Sequence, residues 1–164
     1  MSTATVFLVW AMPVKVVSAC AGLGTESFAL KALGINHRVI LCAEQEPHLR
    51  KFLKDQHQPE VLVKDVRARS FMDRGSGAQL LVAGFACQPF SRQGSNRGVR
   101  DPRGDVASHL LKWVAAHRPD SFVLENVTNL MKHKKTFMRI VRDLKGVPSR
   151  KTTMTGKKIG RAHV

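Results

Sequence analysis

Short apolar runs alternate with amphipathic stretches along most of the chain, and each run stops at a small or turn-forming residue. Pro13 to Ala19 predicts a first strand, after which Ala21 to Thr25 turns the chain into a helix running to about Leu33. Arg38 to Ala43 predicts a second strand, Pro47 to Asp55 a helix, and Val61-Leu62-Val63 a short third strand. From Arg67 to Arg74 the sequence is polar, and Gly75-Ser76-Gly77 closes that excursion. Leu80 to Ala83 predicts a fourth strand that ends at Gly84. Asp105 to His117 has helical spacing, with Val106, Leu110, Trp113 and Val114 on one face. Ser121 to Leu124 predicts a fifth strand. A last amphipathic helix is expected over Leu130 to Leu144, with Met131, Phe137, Met138, Ile140, Val141 and Leu144 assigned to the core. Strand and helix alternating in this way predict an α/β fold built on a doubly wound parallel sheet.

Composition narrows the class. At 164 residues the chain has room for one domain with its own core. Met1 to Met12 carries one apolar run, Val6 to Met12, with no basic residue before it and too few residues for a bilayer span. Residues 1–13 are therefore read as a poorly ordered leader, and neither a signal peptide nor membrane association is expected. The three cysteines, Cys20, Cys42 and Cys87, form neither a disulfide framework nor a metal-ligand pattern, and the seven histidines are scattered. No metal site is expected, and a reducing, intracellular setting is the simpler reading. Net charge is +15, which points to a polyanionic partner such as nucleic acid. Six of the basic residues lie from Lys145 onward, where no acid occurs, yet the remainder is still basic. Residues 145–164 lack apolar periodicity and are expected to be a disordered basic tail. Its end, Lys158 to Val164, matches a translated sequencing adapter and is read as an artefact.

The candidate chemistry gathers where strands end, the edge at which ligands of open α/β sheets bind. Cys87 follows the fourth strand directly, and four arginines come after it: Arg92, Arg97, Arg100 and Arg103. Cations near a thiol favour the thiolate, which is the nucleophilic form. The small residues Gly22 and Gly24 let backbone N–H groups and a helix N-terminus approach a ligand closely. Glu44 ends the second strand twenty residues after Gly24, the distance at which a βαβ unit offers a carboxylate to ribose hydroxyls. Asp65 follows the third strand, and Glu125-Asn126-Val127 the fifth.

The run Gly84-Phe85-Ala86-Cys87-Gln88-Pro89-Phe90-Ser91 resembles the catalytic Pro-Cys-Gln motif of the cytosine-C5 DNA methyltransferases, with Ala86 where the family usually has Pro. Ala21-Gly22-Leu23-Gly24 is similar to the family's glycine loop, and Glu125-Asn126-Val127 to its Glu-Asn-Val motif. The resemblance covers about residues 14 to 144. It implies a Rossmann-like methyltransferase fold, here truncated, and S-adenosylmethionine as cofactor. Ala21, Gly22, Leu23 and Gly24 would hold its methionine part, Glu44 its ribose, and Asp65 with Val66 its adenine. Cys20 stands where the family has a Phe against the adenine, and Ser18 where it often has Asp.

The same resemblance implies Cys87 as nucleophile on cytosine C6 and Glu125 as the group that protonates or hydrogen-bonds N3. A solvated glutamate is ionised at neutral pH and a poor proton donor, so Glu125 is expected to be partly buried. Gln88, Pro89, Ser91, Arg92, Arg103 and Asn126 would meet the DNA, from which the base must be extruded. Family members continue with an Arg-rich block, a target-recognition region and a final segment that completes the cofactor pocket. None of these has a counterpart after Leu144, so the chain is read as an incomplete fragment with little or no activity of its own. Two alternatives share these residues: a tRNA cytosine-C5 methyltransferase, and a non-catalytic nucleic-acid- or nucleotide-binding domain.

Overall fold

The computed structural model describes residues 12–85, 106–126 and 128–147. Five strands form one parallel sheet: β1 (Val14–Ala19), β2 (His37–Ala43), β3 (Leu62–Val63), β4 (Leu80–Gly84) and β5 (Ser121–Glu125). Their order is β3-β2-β1-β4-β5. The chain winds outward from β1 to one edge and then returns to build the other, which opens a crevice at the carboxyl ends of β1 and β4. Between the strands run α1 (Thr25–Ala32), α2 (Pro47–Gln56), a single turn α3 (Arg69–Met72) and α4 (Val106–His117). A 3-10 turn over Thr128–Lys132 and then α5 (Lys134–Lys145) follow β5.

The sheet is covered on both faces. Val17, Ala19, Leu41, Ala43, Leu81 and Ala83 form one core with Phe71, Leu110, Trp113, Val114 and Ile140. On the other face Leu53 of α2 packs on Val39 and Cys42. Val39 and Cys42 are three residues apart, a spacing that in a regular strand would put them on opposite faces. Pairing explains this: Val16 lies opposite Val39 but Val17 opposite Leu41, so Ile40 is an extra residue that reverses the alternation.

The excursion after β3 is pinned from α4. Trp113 Nε1 donates to the Arg74 carbonyl at 2.9 Å, and His117 Nε2 to that of Met72 at 2.8 Å. Gly75 has φ of +99°, and a Cβ there would run into the Trp113 ring. Gly75→Ala is therefore expected to lower the urea midpoint by the equivalent of about 2–4 kcal/mol, from left-handed strain plus overpacking. An unchanged midpoint would show that the contact carries no weight.

The alternating architecture agrees with the expectation from sequence, with two local corrections. The helix expected over Leu130 to Leu144 is two elements, broken at His133, whose φ of −83° and ψ of 59° leave the helical region. Leu130 is buried while Met131, in the 3-10 turn, is 58% exposed, because a period of about three residues sends the next side chain to a different side. In α5 Ile140 is buried and Phe137 and Leu144 pack against the core, but Met138 is 61% exposed. The two methionines assigned to the core are thus surface residues. The second correction is α3: a stretch read as polar forms a helical turn because Phe71, its one large apolar residue besides Met72, is fully buried.

Candidate active site at the carboxyl edge of the sheet

Register alone brings the candidate residues to one edge. Ala19 lies opposite Ala43 and Ala83, Ala43 opposite Val63, and Gly84 opposite Glu125. The glycine turn, Glu44, Asp65 and Glu125 therefore all leave the sheet from its carboxyl end.

The turn after β1 is held from β2. Ala21 N–H donates to the Ala43 carbonyl at 3.0 Å, and Gly22 N–H to Glu44 Oε2 at 2.8 Å. Glu44 is 8% exposed, and its Oε1 accepts from Glu46 N–H at 2.9 Å. Gly24 N–H closes the turn onto the Ala21 carbonyl at 2.8 Å and Gly24 precedes α1 in a left-handed conformation, with Leu23 exposed beside it. Gly22 also has a positive φ, +56°, and among the described residues nothing lies within 4 Å of where its Cβ would be. The left-handed backbone, and no described neighbour, is what favours glycine at this position.

Asp65 is committed to a partner that sequence reasoning missed. Arg67 Nε lies 3.0 and 3.1 Å from its two oxygens and Nη2 2.7 Å from Oδ2, while Arg67 N–H donates to Oδ1 at 2.8 Å. Hydrogen bonds from Arg67 hold the carboxyl below the usual carboxylate range, against a smaller desolvation effect in the other direction. Val66 is buried in the core, so its side chain is packing and its backbone is what it can offer a ligand. Cys20 adopts φ of +54°, and burial first, then the charges of Glu44 and Asp65, push its thiol up to about 12. Cys42 is likewise pushed up to about 12, by burial first and then by the charges of Glu26 and Glu44. Both thiols are neutral at physiological pH and neither is a nucleophile.

On the other side of the crevice β4 and β5 end together. A Cβ on Gly84 would lie 3.3 Å from Glu125 Oε2, so the carboxylate rests against the end of β4. Asn126 Nδ2 donates to the Phe85 carbonyl at 2.9 Å, tying the chain as it leaves β4 to the residue after Glu125. Asn126, expected to meet substrate, thus also holds this junction. Glu125 is exposed, not partly buried as expected, because β5 is the edge strand of the five and half-exposed Val123 marks its open side. Cys87, Gln88, Pro89, Ser91, Arg92 and Arg103 lie outside the described residues. Among the described residues no helix is long and apolar enough to cross a membrane, and no group of three or more His, Cys, Asp or Glu could hold a metal ion.

Comparison with known proteins is consistent with this geometry. Residues 14–147 match the model of the C-5 cytosine-specific DNA methylase family. The chain is 33% identical over 129 residues to the type II methyltransferase M.HgiCI of Herpetosiphon aurantiacus, covering 74% of this chain and 28% of that enzyme. It is 31% identical over 121 residues to M.DsaV of Dactylococcopsis salina, covering 74% of this chain and 33% of that one. The chain thus spans about a third or less of the length of these relatives. In fold it is similar to the Dnmt2 methyltransferase of S. pombe, with a TM-score of 0.58 and 18% identity, covering 80% of this chain and 41% of that one. The family match takes in every described element from β1 to α5, and the chain belongs to the C-5 cytosine-specific DNA methylase family.

Proposed function

We propose that this chain supplies the cofactor-binding and cytosine-activating residues of a DNA methyltransferase that transfers a methyl group from S-adenosylmethionine to cytosine C5. The observation that carries the reading is the pairing of Gly84 with Glu125 and of Phe85 with Asn126, since a single residue, Ala86, separates Phe85 from Cys87.

The residues present suit S-adenosylmethionine. Gly22 leaves its backbone open to the methionine part. A carboxylate has about four acceptor positions, and Glu44 uses two on backbone N–H groups, which leaves capacity for ribose hydroxyls. Asp65 would accept from the adenine amino group by sharing or displacing Arg67. Cys20, in place of an aromatic ring, contributes less stacking.

When bound, S-adenosylmethionine supplies an electrophilic methyl group on a sulfonium. The chain's residues make cytosine able to take it. Cytosine C5 is a poor nucleophile, so the Cys87 thiolate adds to C6 and pushes the ring electrons toward C5. Glu125 hydrogen-bonds or protonates N3, which accepts charge as that bond forms. After transfer a base removes the C5 proton, the C6–S bond breaks, and the aromatic ring and the thiolate are both restored. The target base must leave the stack first, and Arg92 and Arg103 would contact phosphates as it does. RNA as substrate is the alternative outcome, separated by assaying both nucleic acids.

Calorimetry with S-adenosylmethionine, made on a parent enzyme with the full length of its relatives, tests the cofactor half directly. Binding is expected, with Glu44→Ala weakening it on the order of 100-fold through loss of charged hydrogen bonds. No heat from the unmodified parent, or equal affinity in the variant, would remove this reading.

A further inference from the structure

We propose that His57, which no motif of the sequence marks, is a positioning residue for the glycine turn, clamping its Leu23 carbonyl while Glu44 holds the Gly22 amide. The inference rests on the cofactor reading above and extends it to a residue on a different element. His57 caps the carboxyl end of α2, its N–H bonded to the Leu53 carbonyl at 2.9 Å. From there Nε2 reaches across 34 residues of sequence to the Leu23 carbonyl at 2.9 Å. A carbonyl only accepts, so Nε2 carries the hydrogen. Together with the Gly22 N–H to Glu44 bond of 2.8 Å, this fixes both polar ends of the Gly22-Leu23 pair.

The ring does more than donate one hydrogen bond. A Cβ on Gly24 would lie 2.7 Å from His57 Cδ2 and 2.8 Å from Nε2, so imidazole fills the space that only a glycine leaves open. Phe28 of α1 meets the same ring edge-on at a centroid distance of 4.7 Å, and Phe52 of α2 does so at 6.1 Å. Among the described residues buried Nδ1 has no hydrogen-bond partner, and the one polar contact the ring makes is the bond to the turn. A side chain serving packing alone would be satisfied by an apolar ring of the same size. Imidazole, with one nitrogen left unpartnered and the other aimed at Leu23, points to control of the turn's conformation.

Two substitutions separate shape from hydrogen bonding. His57→Phe keeps an aromatic ring and loses the donor, whereas His57→Gln places an amide nitrogen near the position of Nε2. Calorimetry with S-adenosylmethionine is expected to show about tenfold weaker binding for His57→Phe and recovery to within about threefold for His57→Gln. Amide hydrogen exchange should accelerate at Gly22 to Gly24 in His57→Phe while the central strand β1 stays protected. The assignment is overturned if His57→Phe lowers the melting temperature but binds as tightly as the unmodified protein, or if exchange at Gly22 to Gly24 does not change. Absence of binding by the unmodified protein would refute the cofactor reading instead, and exchange at the turn would then decide the clamp by itself.

Discussion

Cys87→Ser is expected to abolish methyl transfer, by on the order of 10⁴-fold or more, because an alkoxide is not available at neutral pH where a thiolate is. The measurement is tritium transfer from labelled S-adenosylmethionine to DNA, made in a parent enzyme with the full length of its relatives. Neither of the other thiols can take over. Cys20 and Cys42 stay protonated, their pKa values pushed up to about 12 chiefly by burial, and Cys42 is enclosed beneath α2. Near-normal turnover by the serine variant would remove Cys87 from the chemistry.

Glu125→Gln is expected to cost about 10²–10⁴-fold in kcat, the usual contribution of a positioned acid. The amide keeps the size of the side chain and can still donate to N3, so DNA affinity should change little and the loss should fall on the chemical step. The environment of Glu125 matters for this expectation. Among the described residues it is exposed on an edge strand with its carboxylate against Gly84, so exclusion of water has to come from the bound base or from residues outside the described ones. A variant with unchanged kcat would assign the N3 contact to another group.

The parts of this site that were legible in sequence are those encoded by local pattern. Apolar runs that stop at Ala19, Ala43, Val63 and Gly84 marked the strands, and parallel winding then put every strand end on one edge. Gly22, Gly24 and Glu44 could be read because the turn and the acid keep the spacing of a βαβ unit. What stayed hidden depends on contacts across distance or on a one-residue irregularity. Arg67 reads as one more basic residue in a polar stretch, yet it occupies both oxygens of Asp65. His57 sits in a polar segment and touches a turn 34 residues away. The extra residue Ile40 reverses the faces of β2 without any break in its apolar run. The last helix was misjudged for a related reason: Leu130 and Ile140 do face the core, but a 3-10 turn and the His133 break lie between them, so a single helical period could not place Met131.

The central claim is that a sulfur just beyond β4 and a carboxylate at the end of β5 face the same space, and a cross-link tests it in this chain without DNA or cofactor. In Glu125→Cys the introduced thiol should form a disulfide with Cys87 under mild oxidation, a bond that requires Cα atoms within about 7 Å. Peptide mapping before and after reduction reads the partner. Linkage of position 125 to Cys87 is the predicted result; an introduced thiol that stays free, or pairs with Cys20 or Cys42, while Cys87 remains open to alkylation would contradict the account.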